Sequence, residues 1–209
     1  MIEYVIETNI DDRILKKAAE LLNNGGIVAY PTDTSWALGC SIHSKEGIQK
    51  LRKLKGDFKK HPLTLICSNI TQISDVAFLS NSQFKIIKHY APGPYVFILK
   101  ALPKIEKKVN IKRMTLGIRI PQNPVPLKII ETLGCPIFSI TASRNMAFQG
   151  WWDKHGAEGN LFEGGWELEY INGLGMILDT GDPLPKYLAT VLDLTDEELV
   201  VVRQGIGDL

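Results

Sequence analysis

The sequence predicts an α/β fold, in strict terms α+β, in one three-layer domain over residues 1–209. Short apolar runs alternate with helical segments, the hydrophobic content of 44% is enough for a sizeable core, and no repeat or change of composition marks a domain boundary. Predicted strands cover residues 1–8, 27–30, 36–40, 63–67, 95–100, 115–120, 137–141, 176–178, 190–194 and 199–203. Predicted helices cover residues 12–24, 71–77 and 82–90, with one more after Ser44.

The first predicted helix has a clear apolar face. Its inward residues recur at helical spacing: Ile14, Leu15, Ala18, Leu21 and Leu22. The pair Gly25-Gly26 ends the helix and releases the next strand, since glycine commonly follows a helix C-terminus. Periodicity alone leaves the order of the strands open.

Residues 25–56 place a strand, a hydroxyl-rich turn and a basic helix in succession. Pro31 has no N–H to donate to a strand ladder, so we expect the chain to turn there. The turn carries short polar side chains that bond local backbone or a ligand, namely Thr32, Asp33, Thr34 and Ser35. After an N-cap at Ser44, apolar residues at 48, 51 and 54 define a helix whose other face is cationic. Such a charge run alone is typical of a solvated face, but beside the hydroxyl turn it favours a pocket for an anionic ligand.

Composition excludes several classes of protein. Lys plus Arg total 24 and Asp plus Glu total 23, so nucleic-acid binding would need a local basic patch. The three cysteines lack C-x-x-C spacing, which argues against a disulfide framework or a zinc site and favours buried thiols. The first residues resemble no signal peptide, and no segment has the length of a membrane span, so we expect a cytoplasmic protein without a membrane partner.

Six ordered motifs carry a family resemblance. They are PTDTSWALG at 31–39, KGDFKKHPL at 55–63, PGPYVFILK at 92–100, GIRIPQNP at 117–124, TVLDLT at 190–195 and VVRQGIGD at 201–208. Together they resemble the YrdC family, whose signature reads close to PTDTVYGLG followed by KGRPxxKPL. The family includes the threonylcarbamoyl-AMP synthases and the YciO branch. The ending and the Trp36-Ala37 variant of the first motif are most similar to the YciO branch.

The resemblance implies a mixed, twisted sheet with helices around a basic cleft, and a nucleotidyltransferase reaction. In that reaction ATP, L-threonine and bicarbonate give threonylcarbamoyl-AMP and pyrophosphate, and the product modifies adenosine in tRNA. The implied cofactors are ATP, as a substrate, and Mg²⁺, with no tightly bound metal. Substrate and nucleotide binding are assigned by the resemblance to Thr32, Thr34, Arg119, Thr190 and Arg203. Taken alone, Arg119 and Arg203 are equally typical of surface ion pairs. Thr190 taken alone is equally typical of a residue in a β-strand.

The catalytic set departs from the family pattern. The synthases use K-x-R and S-x-N, and here the first reads Lys55-Gly56-Asp57. The second aligns with Thr141-Ala142-Ser143, or in a shifted register with Ser143-Arg144-Asn145. The resemblance therefore assigns catalysis to Lys55, Thr141 and Ser143. Asp57 stands where the family has the arginine. Lys59, Lys60 or Arg144 could supply the missing positive charge, and Mg²⁺ could screen the Asp57 carboxylate.

Three functions follow as hypotheses. The first is a threonylcarbamoyl-AMP synthase or a relative that uses another amine. The second is a YciO-type protein that binds tRNA or double-stranded RNA without efficient synthase activity, motivated by the motif departures and the basic helix. The third is a regulatory module that binds ATP without turnover.

Residues 145–175 are rich in glycine and carry Trp151, Trp152 and Trp166 without a sustained period. We predict a loop-rich segment in which these rings fill gaps over the sheet. The alternative is a lid or a stacking surface for a nucleotide or RNA base.

Overall fold

The computed structural model describes residues 1–56, 63–105, 115–147, 159–196 and 198–209. These residues form ten strands: β1 (Ile2–Tyr4), β2 (Val28–Pro31), β3 (Trp36–Ser41), β4 (Thr64–Ile66), β5 (Tyr95–Lys100), β6 (Thr115–Arg119), β7 (Ile137–Thr141), β8 (Met176–Asp179), β9 (Thr190–Asp193) and β10 (Val200–Arg203). The same residues form the α-helices α1 (Asp12–Asn23), α2 (Lys45–Lys55), α3 (Ile70–Ser74), α4 (Asn81–Tyr90) and α5 (Pro124–Leu133). Two 3₁₀ helices cover Arg144–Met146 and Gly165–Tyr170.

The strands form one mixed sheet in the order β1-β8-β2-β3-β7-β4-β6-β5-β9-β10. Pairs β1–β8, β2–β8, β4–β6 and β5–β9 are parallel, and the other neighbours are antiparallel. The predicted mixed α/β fold is therefore confirmed.

Apolar side chains on the two faces of the sheet form two separate clusters. On one face α1 and α5 pack together over β2 and β8, through residues such as Leu22, Ile129 and Leu178. On the other face α2, α3 and α4 contribute Leu51, Ile73 and Ile87 to a larger cluster. Strand residues alternate between the two clusters, as the period of a strand requires. Helices on both faces make the predicted three layers.

Local signals account for most helix ends. The Ser44 side chain accepts a hydrogen bond from the Gly47 N–H, so the predicted N-cap of α2 is confirmed. Helix α5 was not predicted, because its prolines resemble helix breakers. Asn123 caps it and Pro124 occupies its first position, where a missing N–H costs no intrahelical bond. Pro31, which was expected to stop β2, is its last residue and pairs with Trp36.

Trp166 and the cysteines differ in how far they are buried. The interpretation of Trp166 as a packing residue is wrong, because this ring is 62% exposed on its 3₁₀ helix. Trp151 and Trp152 lie outside the described residues. Cys40 and Cys67 are buried as predicted, whereas Cys135 is only partly buried. Burial raises the pKa of the Cys40 thiol to about 12. No described helix is long and apolar enough to cross a membrane.

Candidate functional site

A cavity of about 670 Å³ lies on the same face of the sheet as α1 and α5, beside the part of that face that these helices cover. Its floor follows strand register from β7 to β5, because Ser139 pairs with Thr64, Thr64 with Gly117 and Gly117 with Ile98. A Cβ at Gly117 would lie 3.2 Å from Cγ1 of Val96 and 3.6 Å from Oγ1 of Thr64. The bare backbone at this position therefore keeps the floor deep.

The turn between β2 and β3 forms one wall of the cavity. Oγ1 of Thr32 donates to the Ser35 carbonyl at 2.7 Å and accepts from the N–H groups of Thr34 and Ser35 at 3.2 Å. The predicted hydroxyl turn is therefore held by Thr32. The Thr34 hydroxyl lies 3.2 Å from Oγ1 of Thr32, and the Thr34 carbonyl accepts from the N–H of Tyr187, which also lines the cavity.

Arg119, at the end of β6, ties this turn to the sheet. Its guanidinium donates to Oδ1 of Asp33 at 2.7 Å, to Oγ1 of Thr34 at 3.0 Å and to the carbonyl of Gly93 at 3.3 Å. Arg119 is 7% exposed, and burial lowers its pKa against the opposing effect of Asp33. Oδ2 of Asp33 is buried and has no hydrogen-bond partner among the described residues. Arg119 is thus a structural ion-pair residue that also lines the cavity.

Lys55 and Arg203 bring two more cations to the cavity from the C-terminal ends of α2 and β10. Burial, and then the nearby charge of Arg203, lower the pKa of Lys55 to about 8. Nε and Nη2 of Arg203 donate to the carbonyl of Ala189 at 3.2 and 2.7 Å, and burial lowers the pKa of Arg203. Two like charges near each other in a partly buried site favour an anionic ligand.

The cavity brings together six of the eight residues predicted for the site: Thr32, Thr34, Lys55, Arg119, Thr141 and Arg203. Thr190 and Ser143 are not part of its lining. Their assigned roles, like those of the other six, stay predictions.

Thr190 is fully buried behind the cavity wall, where it holds the C-terminal segment. Its hydroxyl donates to the Gly207 carbonyl at 2.8 Å and accepts from the N–H of Gly205 at 3.0 Å. A Cβ at Gly205 would lie 2.2 Å from the Leu188 carbonyl oxygen, and Leu188 lines the cavity. The C-terminal segment therefore supports this wall from behind.

Residues of the alternative catalytic register have structural contacts. Ser143 forms a β-bridge with Leu161. Arg144 donates to the Leu161 carbonyl at 3.3 Å and forms an ion pair with Glu167. Its guanidinium therefore holds the 3₁₀ helix Gly165–Tyr170 in place. Asp57, Lys59 and Lys60 lie outside the described residues.

Comparison with known proteins decides the family. The Sua5/YciO/YrdC family, described as "Telomere recombination", matches residues 20–205. The chain belongs to this family.

Relatives within the Sua5/YciO/YrdC family include proteins of both branches. The chain is 31% identical to Escherichia coli K12 YciO over 210 residues, 99% of this chain and 96% of that protein. The crystal structure of E. coli YciO matches with a TM-score of 0.85, covering 100% of this chain and 97% of that one. Identity to the threonylcarbamoyl-AMP synthase of Bacillus subtilis 168 is 28% over 144 residues, 68% of this chain and 42% of the synthase. The fold also matches P. abyssi Sua5 complexed with L-threonine, with a TM-score of 0.79 and 24% identity over 98% of this chain and 57% of that one.

Four polar lining residues lie outside the six motifs and were missed by the motif analysis: Thr64, Thr115, Ser139 and Tyr187. A polar residue between Phe138 and Ile140 in an apolar strand was a usable signal for Ser139. Tyr187 follows a proline-containing loop and gave no pattern.

Proposed function

We propose that the protein is an ATP-dependent enzyme of the threonylcarbamoyl-AMP synthase type, which converts ATP, L-threonine and bicarbonate to threonylcarbamoyl-AMP, pyrophosphate and water. The observation that carries this proposal is the single cavity in which Lys55, Arg119 and Arg203 meet the Thr34 hydroxyl. Its volume of about 670 Å³ falls within the range of about 300–1,000 Å³ that is common for small-molecule sites. Membership of a family that contains threonylcarbamoyl-AMP synthases supports the assignment.

The proposed chemistry consists of two bond-forming steps. The threonine amine attacks the carbon of bicarbonate, and water leaves to give a carbamate. A carbamate oxygen then attacks the α-phosphorus of ATP and the bond to pyrophosphate breaks. Neither step needs a covalent bond to the protein, so the residues contribute by positioning the reactants and stabilising charge.

The positions of the cations suggest separate tasks. Lys55 and Arg203 are placed near one another and would neutralise the triphosphate and the departing pyrophosphate. Three of the five N–H groups of Arg119 have partners among the described residues. The remaining two, with Thr34, would bind a carboxylate or phosphate oxygen.

The described residues fit a Mg²⁺ ion that arrives with ATP better than a resident metal ion. Asp193 is the one carboxylate among the described lining residues, and its Oδ1 already accepts from the N–H and hydroxyl of Thr195. No group of three or more His, Cys, Asp or Glu side chains suited to a metal ion occurs in the described part of the chain. Mg²⁺ commonly binds through one or two carboxylates together with substrate phosphates, and it would supply charge stabilisation at the triphosphate.

A pyrophosphate-release assay with ATP, L-threonine and bicarbonate tests the proposal. We expect release by the wild-type protein that requires all three substrates and falls at least about tenfold in Arg203→Ala, since a charged hydrogen bond contributes about 1.5–3 kcal/mol. Lys128→Ala is the matched control, because this lysine is exposed on α5 and pairs with Glu131. Wild-type release no higher than that of Arg203→Ala would refute the synthase proposal.

RNA binding is a second candidate, favoured by the exposed Lys45 and Lys53 on α2, the helix whose last residue lines the cavity. A double-stranded RNA titration at several salt concentrations tests it. Binding through these lysines should weaken with salt and weaken further in Lys45→Ala/Lys53→Ala. Affinity that is unchanged by the double substitution would count against this surface.

A further inference from the structure

A carboxylate and a guanidinium line the cavity from neighbouring strands without pairing. Arg203 on β10 is the register partner of Val191 on β9, and Asp193 lies two residues further along β9. Residues in a strand rise about 3.3 Å each and strands lie about 4.8 Å apart, so the backbones of Asp193 and Arg203 are about 8 Å apart. No ion pair between described residues involves Asp193.

Local hydrogen bonds hold these two side chains at opposite ends of β9. Nε and Nη2 of Arg203 donate to the carbonyl of Ala189, just before the strand, at 3.2 and 2.7 Å. Oδ1 of Asp193 accepts from the N–H and the hydroxyl of Thr195, just after the strand, at 2.8 and 2.7 Å. Along β9 the cavity is therefore positive at one end and negative at the other.

The second carboxylate oxygen of Asp193, Oδ2, has no hydrogen-bond partner among the described residues. An ionised carboxylate only accepts hydrogen bonds, so its partner must be an N–H or O–H group. The neighbouring floor positions in the same register are Ile98 on β5 and Gly117 on β6, and neither side chain has a donor. A donor for Oδ2 would thus come from the contents of the cavity.

We propose that Asp193 recognises the sugar of the nucleotide, with Oδ2 accepting a hydrogen bond from a ribose hydroxyl. The phosphates would lie towards Arg203, because a carboxylate disfavours a second anion beside it. In ATP the ribose hydroxyls are the donors nearest to the phosphates, and acidic side chains bind ribose hydroxyls in other nucleotide-binding folds. This inference rests on the proposed function and makes Asp193 a specificity-determining residue that selects ribonucleotides over deoxyribonucleotides.

Calorimetric titrations of ATP, 2′-deoxy-ATP, 3′-deoxy-ATP and L-threonine, each alone, into the wild-type protein and Asp193→Asn test the inference. Asparagine keeps Oδ1 and its bonds to Thr195, so only Oδ2 is replaced. One of the deoxynucleotides should bind the wild-type protein about 10- to 100-fold more weakly than ATP, the range of a hydrogen bond to a charged group. In Asp193→Asn this discrimination should be largely lost, whereas a purely structural effect would weaken both nucleotides equally and leave their ratio unchanged.

Asp196→Asn is the matched control and should keep the wild-type ratio. Asp196 follows the same strand, but its side chain is 88% exposed and it does not line the cavity. The titrations are run with and without Mg²⁺, because a bond to a hydroxyl needs no metal ion and the ratio should be the same in both. A ratio that depends on Mg²⁺ would instead assign Oδ2 to the metal and overturn the inference.

Other outcomes separate this inference from the proposed function. Equal affinity of the wild-type protein for the three nucleotides, or an unchanged ratio in folded Asp193→Asn, would overturn the inference alone. Loss of L-threonine affinity in Asp193→Asn with unchanged nucleotide binding would assign Oδ2 to the amine and also overturn it. A wild-type protein that binds no nucleotide would overturn the proposed function as well.

Discussion

Breaking the ion pair between Arg119, which lines the cavity, and Asp33 should strongly destabilise the protein. Arg119 is 7% exposed, and its partner already has one buried carboxylate oxygen without a hydrogen bond. Replacement by methionine keeps the apolar stem but leaves the carboxylate with no cation. Removal of one partner from a buried pair costs about 3–5 kcal/mol. The total stability of a domain is about 5–15 kcal/mol, so we expect a severe loss in Arg119→Met.

Urea denaturation followed by tryptophan fluorescence measures this loss of unfolding free energy. The slope m of that free energy against urea concentration should be the same in the wild-type protein and the variant. We also expect thermal unfolding to shift downwards by about 6–20 °C, since 1 kcal/mol corresponds to about 2–4 °C for a chain of this size. The double variant Asp33→Asn/Arg119→Met should lose less than the sum of the single variants, because it leaves no unpaired charge.

Arg13→Met is the matched control for this experiment. Arg13 and Asp11 approach to the same 2.7 Å, but the side chains are 87% and 40% exposed. The side chains of Arg119 and Asp33, taken without their backbone atoms, are only 8% and 14% exposed. We expect no measurable change of midpoint in Arg13→Met, because solvent screens the exposed pair. A loss below about 1 kcal/mol in Arg119→Met, or strict additivity in the cycle, would refute the reasoning.

The remaining predictions concern Lys55, Gly117 and Asp57. Because the pKa of Lys55 is lowered to about 8, ATP affinity should fall between pH 7 and pH 9.5, and Lys55→Met should flatten that profile in calorimetric titrations. The pKa of an unfolded lysine is about 10.4, so between about pH 8 and pH 10.4 the unfolded chain binds more protons than the folded protein. The contribution of Lys55 to the free energy of unfolding should therefore rise with pH in this range. Urea denaturation at about pH 8 and at about pH 10 measures this rise. Gly117→Val should fill the floor and weaken ATP binding while the protein stays folded, as circular dichroism would confirm; unchanged affinity would show that ligands avoid this part of the cavity. Asp57→Arg should raise ATP affinity about tenfold or more if the K-x-R position contacts phosphate, and an unchanged dissociation constant would contradict that assignment.

Sequence reasoning was most reliable where a local signal coincided with a long-range requirement. Strands β5 and β7 were predicted to the residue, because their apolar composition agrees with their position between two neighbouring strands. Helix α5 was missed, because a proline at a first helical position and one in a helix interior look alike until the cap at Asn123 is considered.

The site could be predicted in part. The motifs that resemble the family signature identified the cations, and the structure brings them into one cavity. Spacing could not reveal that Thr190 bonds the C-terminal segment or that Arg119 pairs with Asp33. These contacts depend on strand register and on which side chain reaches which carbonyl, and neither is encoded in a short motif.

The bonds of Thr190 to Gly205 and Gly207 give the last residues of the chain an influence on the cavity that they do not touch. Because the Tyr95 hydroxyl also donates to the Asp208 carbonyl, the segment is fastened at two strands, β5 and β9. Trimming the chain after Arg203 should therefore loosen residues 187–189 and alter ligand recognition from a distance. A laboratory that adds an affinity tag to this protein would do better to place it at the N-terminus.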